Sequence, residues 1–210
     1  MSNLYPIFLD LGNKPCLVIG GGLVAERKLE ALLACQANVI LVSPRVTPHI
    51  KDWSEQGKLM LVRRNYQRKD LQGVCLVFAA TDSQEVNNQI SKDCVELNLP
   101  VNVVNDPDKG TFQVPSVVRR GKLTIAVSTG GSSPLLAAKI RRQLEVQYGQ
   151  EYAEFIELLS DVRRQVLSNV DDIAQRKAIF NDLVESDILE LLKMKKYDQV
   201  KERLEKCLLR

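Results

Sequence analysis

An α/β fold is predicted for this chain by three features of its first half. Short, strongly apolar runs alternate with amphipathic helical stretches, a glycine turn joins the first run to the first helix, and a second run follows at βαβ distance. Runs as apolar as Leu-Val-Phe-Ala-Ala at 76–80 and Val-Asn-Val-Val at 101–104 suit a parallel sheet covered on both faces. A twisted Rossmann-type sheet over residues 1–113 follows, with a small α+β unit at 114–148 and a helical domain at 149–210 behind it.

The first strand is expected at 16–19, and Gly20-Gly21-Gly22 turns the chain into a helix over 24–35 with apolar residues at Val24, Leu29, Leu32 and Leu33. Further strands are expected at 38–42, 59–63, 74–79 and 101–104, with a second helix at 84–97. Beyond this the pattern changes. Residues 114–118 and 123–128 read as a hairpin-like pair around a turn at Arg119-Arg120-Gly121-Lys122. Thr129-Gly130-Gly131-Ser132-Ser133-Pro134 then leads into a helix that Ser133 can cap and whose first turn suits Pro134. A hairpin plus one helix buries little apolar surface, so this unit calls for a partner surface, and dimerisation supplies one. From 149 onward strand signals are absent and glycine is almost absent. Patterns such as Phe155-Ile156-Leu158-Leu159-Val162 and Ile188-Leu189-Leu191-Leu192 predict three or four short helices in a bundle.

With 210 residues the chain can bury a real core, and its net charge of +3 is too mild to indicate nucleic acid. Its basic residues are not interleaved with aromatics, which also argues against a nucleic-acid partner. The five cysteines, at 16, 35, 75, 94 and 207, form no C-x-x-C pair. Reduced thiols of a cytoplasmic protein are expected, with Cys16 and Cys75 acting as small apolar residues in strands. The single histidine, His49, lies in a proline-flanked segment, and one histidine makes a protein-only zinc site unexpected. No signal-peptide pattern opens the sequence, and no apolar run approaches the roughly 18 residues that span a bilayer.

The glycine turn is where chemistry is most readable. Gly20, Gly22 and Ala25 match G-x-G-x-x-G/A: the first glycine permits a tight turn, the second lets backbone approach a pyrophosphate, and the small third residue lets helix pack on strand. The helix then offers unpaired N–H groups and its positive end to phosphates. Four further loops should share the carboxyl edge of the sheet with it: Ser43-Pro44-Arg45, Asn65-Tyr66, Ala80-Thr81-Asp82 and Asn105-Asp106-Pro107. An acidic residue after the second strand would favour NAD through a ribose hydroxyl. Ser43 and Arg45 stand there instead, so the residues alone leave NADP open. The loop 128–134 forms a second candidate site, with hydroxyls and N–H groups at a helix start and Arg119, Arg120, Lys122, Lys139, Arg141 and Arg142 near it in sequence. Several carboxylates or phosphates would suit it.

Six segments, in order across about 130 residues, resemble the precorrin-2 dehydrogenases, also found as the amino-terminal module of siroheme synthase. They are Tyr5-Pro6-Ile7-Phe8, the run from Val18 through Gly20-Gly21-Gly22-Leu23-Val24-Ala25-Glu26-Arg27-Lys28, Ala79-Ala80-Thr81-Asp82, Val101-Asn102-Val103-Val104, Phe112-Gln113-Val114-Pro115-Ser116, and Ile125 through Ser128-Thr129-Gly130-Gly131-Ser132-Ser133-Pro134. A generic dinucleotide domain has no reason to carry the last of these. The resemblance implies NAD-dependent oxidation of precorrin-2 to sirohydrochlorin on the way to sirohaem or cobalamin. It also implies a homodimer built by 114–148 and a tetrapyrrole held between that unit and the helical domain. Carried over by position, it places NAD contacts on Gly22, Leu23, Val24, Pro44, Arg45 and Thr81, and Ser128 in the tetrapyrrole site. With the motif residues added, the expected cofactor set is Gly20, Gly22, Leu23, Val24, Ser43, Pro44, Arg45 and Thr81. The expected substrate set is Ser128, Thr129, Gly130, Gly131, Ser132, Arg119 and Arg120.

One departure from the family pattern stands at the strand end after Asn-Val-Val. Family members commonly place an aspartate there as general base and, in bifunctional members, for metal insertion. This chain has Asn105, with Asp106 next to it. An amide accepts no proton at neutral pH, so either Asp106 swings in at this strand end beside Asn105, or the base matters less than the family pattern implies. Two alternatives accompany this reading: a bifunctional dehydrogenase and ferrochelatase, and a non-catalytic NAD-sensing domain. The hydroxyl-rich second site has no use in a sensor.

Overall fold

A computed structural model describes residues 4–208 and divides the chain into two compact units, 1–114 and 115–210. The first is a five-stranded parallel sheet in the order β3-β2-β1-β4-β5, formed by β1 (Pro15–Ile19), β2 (Asn38–Val42), β3 (Met60–Val62), β4 (Leu76–Ala79) and β5 (Val101–Val103). Helices α1 (Leu23–Ala34), α2 (Pro48–Glu55) and α3 (Gln84–Glu96) connect the strands. The Rossmann-type α/β fold is therefore present. Its order reverses direction between β1 and β4, the switch point where such sheets bind ligands.

Two apolar layers explain why these strands are so hydrophobic. Cys16, Val18, Val39, Leu41, Leu76 and Phe78 face one layer with Ala25, Leu29 and Leu32 of α1 and Ile50 and Trp53 of α2. Leu17, Ile19, Val42, Val77, Ala79, Val101 and Val103 face the other, with Ile90 and Cys94 of α3. A strand buried on both faces has no polar alternation to show, as in β1, where Cys16, Leu17 and Val18 are all 0% exposed.

The structure corrects several boundaries. α2 was not anticipated: the proline-flanked segment around His49 is a helix capped by the Thr47 hydroxyl, which accepts from Ile50 N–H at 3.3 Å, with Pro48 in its first turn. β3 covers only Met60–Val62, β4 begins at Leu76 rather than residue 74, and β5 ends at Val103. The connection from β3 to β4 is tied down by the buried Asp93 of α3, which accepts from Tyr66 Oη at 2.9 Å, Gln89 Nε2 at 2.9 Å and Arg68 NH1 at 3.1 Å.

In the second unit β6 (Ser116–Arg120) and β7 (Leu123–Val127) pair antiparallel. The reversal is tighter than expected, because Arg119 and Arg120 belong to the strand and Gly121, at φ +54°, supplies the left-handed residue of the turn. Helix α4 (Pro134–Gln147) follows, and then α5 (Glu151–Asn169), α6 (Ile173–Val184), α7 (Ile188–Lys193) and α8 (Tyr197–Leu208). Four helices thus fill the carboxyl-terminal region, and α5, at 19 residues, is not short. Their core holds Phe155, Val162, Val166, Ile179, Leu183, Ile188 and Leu192. Among the described residues no helix is long and apolar enough to cross a membrane.

None of the five cysteines forms a disulfide. Cys16 lies inside β1, whereas Cys75 sits one residue before β4 and is half-buried. Burial, followed by the neighbouring Cys75 thiol, pushes Cys16 up to about 12, and burial with nearby Asp93 does the same for Cys94. Native protein treated with iodoacetamide at neutral pH should leave Cys16 and Cys94 unmodified until denaturant is added. Mass spectrometry showing either of them alkylated in the native protein at the rate of a free thiol would contradict this packing.

Candidate active site

Each glycine of the turn has a separate structural reason. Gly20 adopts φ +111°, and a Cβ there would lie 2.2 Å from Ala80 O, so the turn presses directly against the end of β4. A Cβ on Gly21 would lie 2.1 Å from Arg45 O and 2.8 Å from Ser43 Oγ. The sequence pattern treats Gly21 as a free position, yet the loop after β2 leans on it, which the three consecutive glycines could have signalled. Gly22 differs from both, since a Cβ there would meet nothing within 4 Å. It occupies the N-cap of α1 with no side chain capping the helix, so no side chain at the cap claims the first-turn N–H groups of α1. Ala25 is fully buried against the sheet, as a small third residue should be. Leu23 is 72% exposed and Val24 half-buried beside the same opening. An anionic dinucleotide with its pyrophosphate against this helix end fits these residues.

The loop after β2 is fastened to the glycine turn. Thr47 N–H donates to Gly21 O at 3.1 Å, and the Thr47 hydroxyl donates to the Glu26 carboxylate, which His49 Nδ1 approaches at 3.2 Å. The Thr47 hydrogen bond, helped by His49, holds the Glu26 carboxyl below the usual carboxylate range. Ser43 is buried at 5% exposure and donates its hydroxyl to Arg45 O at 2.6 Å, so it shapes the loop rather than presenting a free hydroxyl. Pro44 and Arg45 are exposed at the loop surface.

After β4 and β5 the chain encloses a cavity of about 170 Å³ lined by Thr81, Asp82, Gln84, Asn87, Asn88, Val103, Val104, Asn105 and Asp106. Thr81, Asn105 and Asp106, expected from sequence to lie at strand ends, are brought together here. Asn105 turns the chain at φ +63°, a conformation asparagine tolerates better than most residues. Asp106 Oδ2 pairs with Lys109 Nζ at 3.1 Å, and Lys109 Nζ also donates to Asn88 Oδ1 at 2.6 Å. Lys109 and Asn88 were not expected at the site. Tyr66, in a loop expected at the same edge, is committed elsewhere: burial and its bond to Asp93 push its phenol well above the usual range.

In the second unit the loop 128–133 is locally braced and polar at its surface. Ser128 Oγ accepts from Gly130 N–H at 3.1 Å, Thr129 Oγ1 from Ser133 N–H at 3.0 Å, and Ser133 Oγ from Leu136 N–H at 3.2 Å. Gly130 and Gly131 both take positive φ, +60° and +84°, which keeps the loop narrow. Each hydroxyl that accepts from backbone still has its own O–H to donate. Ser128, Gly130, Gly131 and Ser132 are exposed. Arg120 does not stand free beside them. Its guanidinium donates to Tyr148 O at 2.8 Å, Glu145 O at 3.0 Å and Arg119 O at 2.8 Å, closing the carboxyl end of α4. Lys122 pairs with Glu157 at 2.6 Å, and Arg141 pairs with Glu145. Arg119, Lys122, Lys139 and Arg142 are exposed.

Comparison with known proteins agrees with this layout. A family model described as putative NAD(P)-binding matches residues 7–116, and one described as sirohaem biosynthesis protein, central, matches residues 120–147. The siroheme synthase of Thioalkalivibrio sulfidiphilus is 34% identical over 206 residues, 98% of this chain and 42% of that protein. That of Methylobacillus flagellatus is 36% identical over 185 residues, covering 88% of this chain and 40% of the relative. The chain thus spans about two fifths of the siroheme synthases it matches. The solved structure of SirC, a precorrin-2 dehydrogenase, superposes with a TM-score of 0.79 at 26% identity, covering 95% of this chain and all of that one.

Proposed function

Because this chain belongs to the putative NAD(P)-binding family and also matches the central segment of sirohaem biosynthesis proteins, we propose that it oxidises precorrin-2 to sirohydrochlorin with NAD as hydride acceptor. The observation that carries the proposal is the open, uncapped start of α1 at Gly22, in a chain that also bears the Ser128-Thr129-Gly130-Gly131-Ser132 loop. A dinucleotide fold alone accounts for the first, and an anionic second substrate gives the exposed hydroxyls of the second a use.

The residues divide the work. Backbone N–H groups at Gly22, Leu23 and Val24 hold the pyrophosphate, and the loop Ser43-Pro44-Arg45, fixed by Thr47 and Glu26, borders the adenosine side. The hydroxyls of Ser128, Thr129 and Ser132 and the exposed Arg119 hold acetate and propionate arms of the macrocycle, while Arg120 supports α4. NAD when bound supplies the acceptor for the departing hydride. Asp106, with Oδ2 paired to Lys109, takes the accompanying proton on Oδ1, and Asn105 holds the turn that presents it. The sum is precorrin-2 and NAD⁺ giving sirohydrochlorin, NADH and a proton. Orientation supplies most of the acceleration, because desaturation extends conjugation and runs downhill. Under anaerobic conditions the protein should convert precorrin-2 only when NAD is present. Conversion at the same rate without a nicotinamide cofactor would exclude this chemistry.

We also propose that the protein works in the cytoplasm as a homodimer assembled through residues 114–148. Leu135 and Val146 of α4 are 84% and 86% exposed, and the β6–β7 sheet has only two strands, which supports a partner surface there. Sedimentation at micromolar concentration should give a dimer. A fully active monomer under the same conditions would defeat the proposal.

A further inference from the structure

We infer that Asn87 of α3 is a positioning residue that sets the affinity for NAD by holding the Thr81 loop against the glycine turn; the inference rests on the dehydrogenase reading above. Asn87 is 7% exposed, and a buried amide is tolerated only when its polar atoms are paired. Its pairing is concentrated on one residue. Asn87 Oδ1 accepts from Thr81 N–H at 3.2 Å and lies 2.8 Å from Thr81 Oγ1, while Asn87 Nδ2 donates to Thr81 O at 3.1 Å. A single side chain therefore grips both the amide and the carbonyl of Thr81.

The start of α3 does not need this grip. Ser83 already caps the helix, its hydroxyl accepting from Val86 N–H at 3.3 Å. What Asn87 fixes is the loop, and the loop abuts the cofactor turn: a Cβ on Gly20 would lie 2.2 Å from Ala80 O and 3.0 Å from Thr81 N. The Thr81 hydroxyl is likewise engaged, accepting from Ser83 N–H at 3.2 Å and lying 3.0 Å from Ser83 O. Thr81 therefore serves the cofactor by the shape of its loop more than by a free hydroxyl. Without Asn87 two backbone groups of Thr81 lose their partners, and the loop must be ordered at the moment NAD binds, which subtracts from affinity.

The test is calorimetric titration of NAD into the full chain, wild type against Asn87→Ser and Asn87→Leu, with melting temperatures of all three. Both variants should bind NAD about 10-fold more weakly, the equivalent of one buried hydrogen-bonded group lost. In turnover the KM for NAD should rise by a similar factor, with kcat at saturating NAD and the KM for precorrin-2 near wild type. Lower melting temperatures with wild-type NAD affinity would show that Asn87 only supports the fold and would overturn the inference. Serine is small and can be hydrated, so that variant decides the question if the leucine variant does not fold. The titration uses no precorrin-2. A wild type that binds NAD but leaves precorrin-2 unchanged would overturn the dehydrogenase reading and leave the affinity comparison to decide the role of Asn87.

Discussion

Gly22→Asp should abolish NAD-dependent turnover in a protein that is folded and at least as stable as wild type. The side chain enters open space, because nothing lies within 4 Å of a Cβ at that position, and φ −86° with ψ −176° suits any L-residue. Position 22 is the N-cap of α1 and lacks a side-chain cap, so aspartate should cap the helix and stabilise it by about a few tenths of a kcal/mol over glycine. Capping is what removes function. The carboxylate occupies the N–H groups that would hold the pyrophosphate and sets a negative charge against it. One such charge pair at about 4 Å, with an effective dielectric constant near 20, costs about 4 kcal/mol, or roughly 10³-fold in affinity. Gly22→Ala, which adds a methyl group without charge or cap, should retain most activity. Normal turnover by Gly22→Asp at saturating precorrin-2 would mean that the cofactor binds elsewhere.

Asp106→Ala should lower dehydrogenation by about 10²-fold, the lower end of what general-base removal costs, with little loss of stability. The two effects separate because Asp106 does little for the fold. Its side chain makes no cap bond to the 3₁₀ turn at Pro107–Lys109, and its pair with Lys109 is partly exposed, worth less than about 1 kcal/mol. Affinity for NAD should stay near wild type. An activity loss that merely follows the melting temperature would assign Asp106 to the turn, leaving the proton to another acceptor.

How much of this was legible in the sequence depends on the range of the interactions involved. β1, β2 and α1 were readable because their signals are local: an apolar run, a glycine turn and helical spacing of Leu29 and Leu32. α2 was missed although its signal is also local. Thr47 as cap, Pro48 in the first turn and the buried Ile50 and Trp53 three apart mark a helix start, but the two prolines at 44 and 48 read as a loop. α5 runs longer than the short helices expected from the apolar pattern at 155–162. No proline or glycine interrupts residues 151–169, so nothing local ends it.

At the site, the glycine turn and the strand-end loops were visible, yet the residues that fix them were not. Asn87 acts through a loop six positions away, Glu26 through Thr47, and Lys109 through Asp106 and Asn88. Asn87 and Lys109 carry no pattern of their own, and Glu26 stands within the segment Gly20 to Lys28 without that segment saying what it holds. Arg120 shows the opposite failure, since its charge and neighbourhood suggest an anion site while its guanidinium closes α4. Charge in sequence does not say whether a backbone carbonyl has already claimed it.

If precorrin-2 is oxidised as proposed, one hydride leaves it for one NAD held at the glycine turn. The most direct measurement is the anaerobic stoichiometry of sirohydrochlorin against NADH, followed by absorbance with catalytic amounts of the full chain and repeated with Gly22→Asp. The two products should rise together in equal amounts with wild type, and neither should rise with the variant. Sirohydrochlorin formed without matching NADH, or formed equally well by Gly22→Asp, would contradict it.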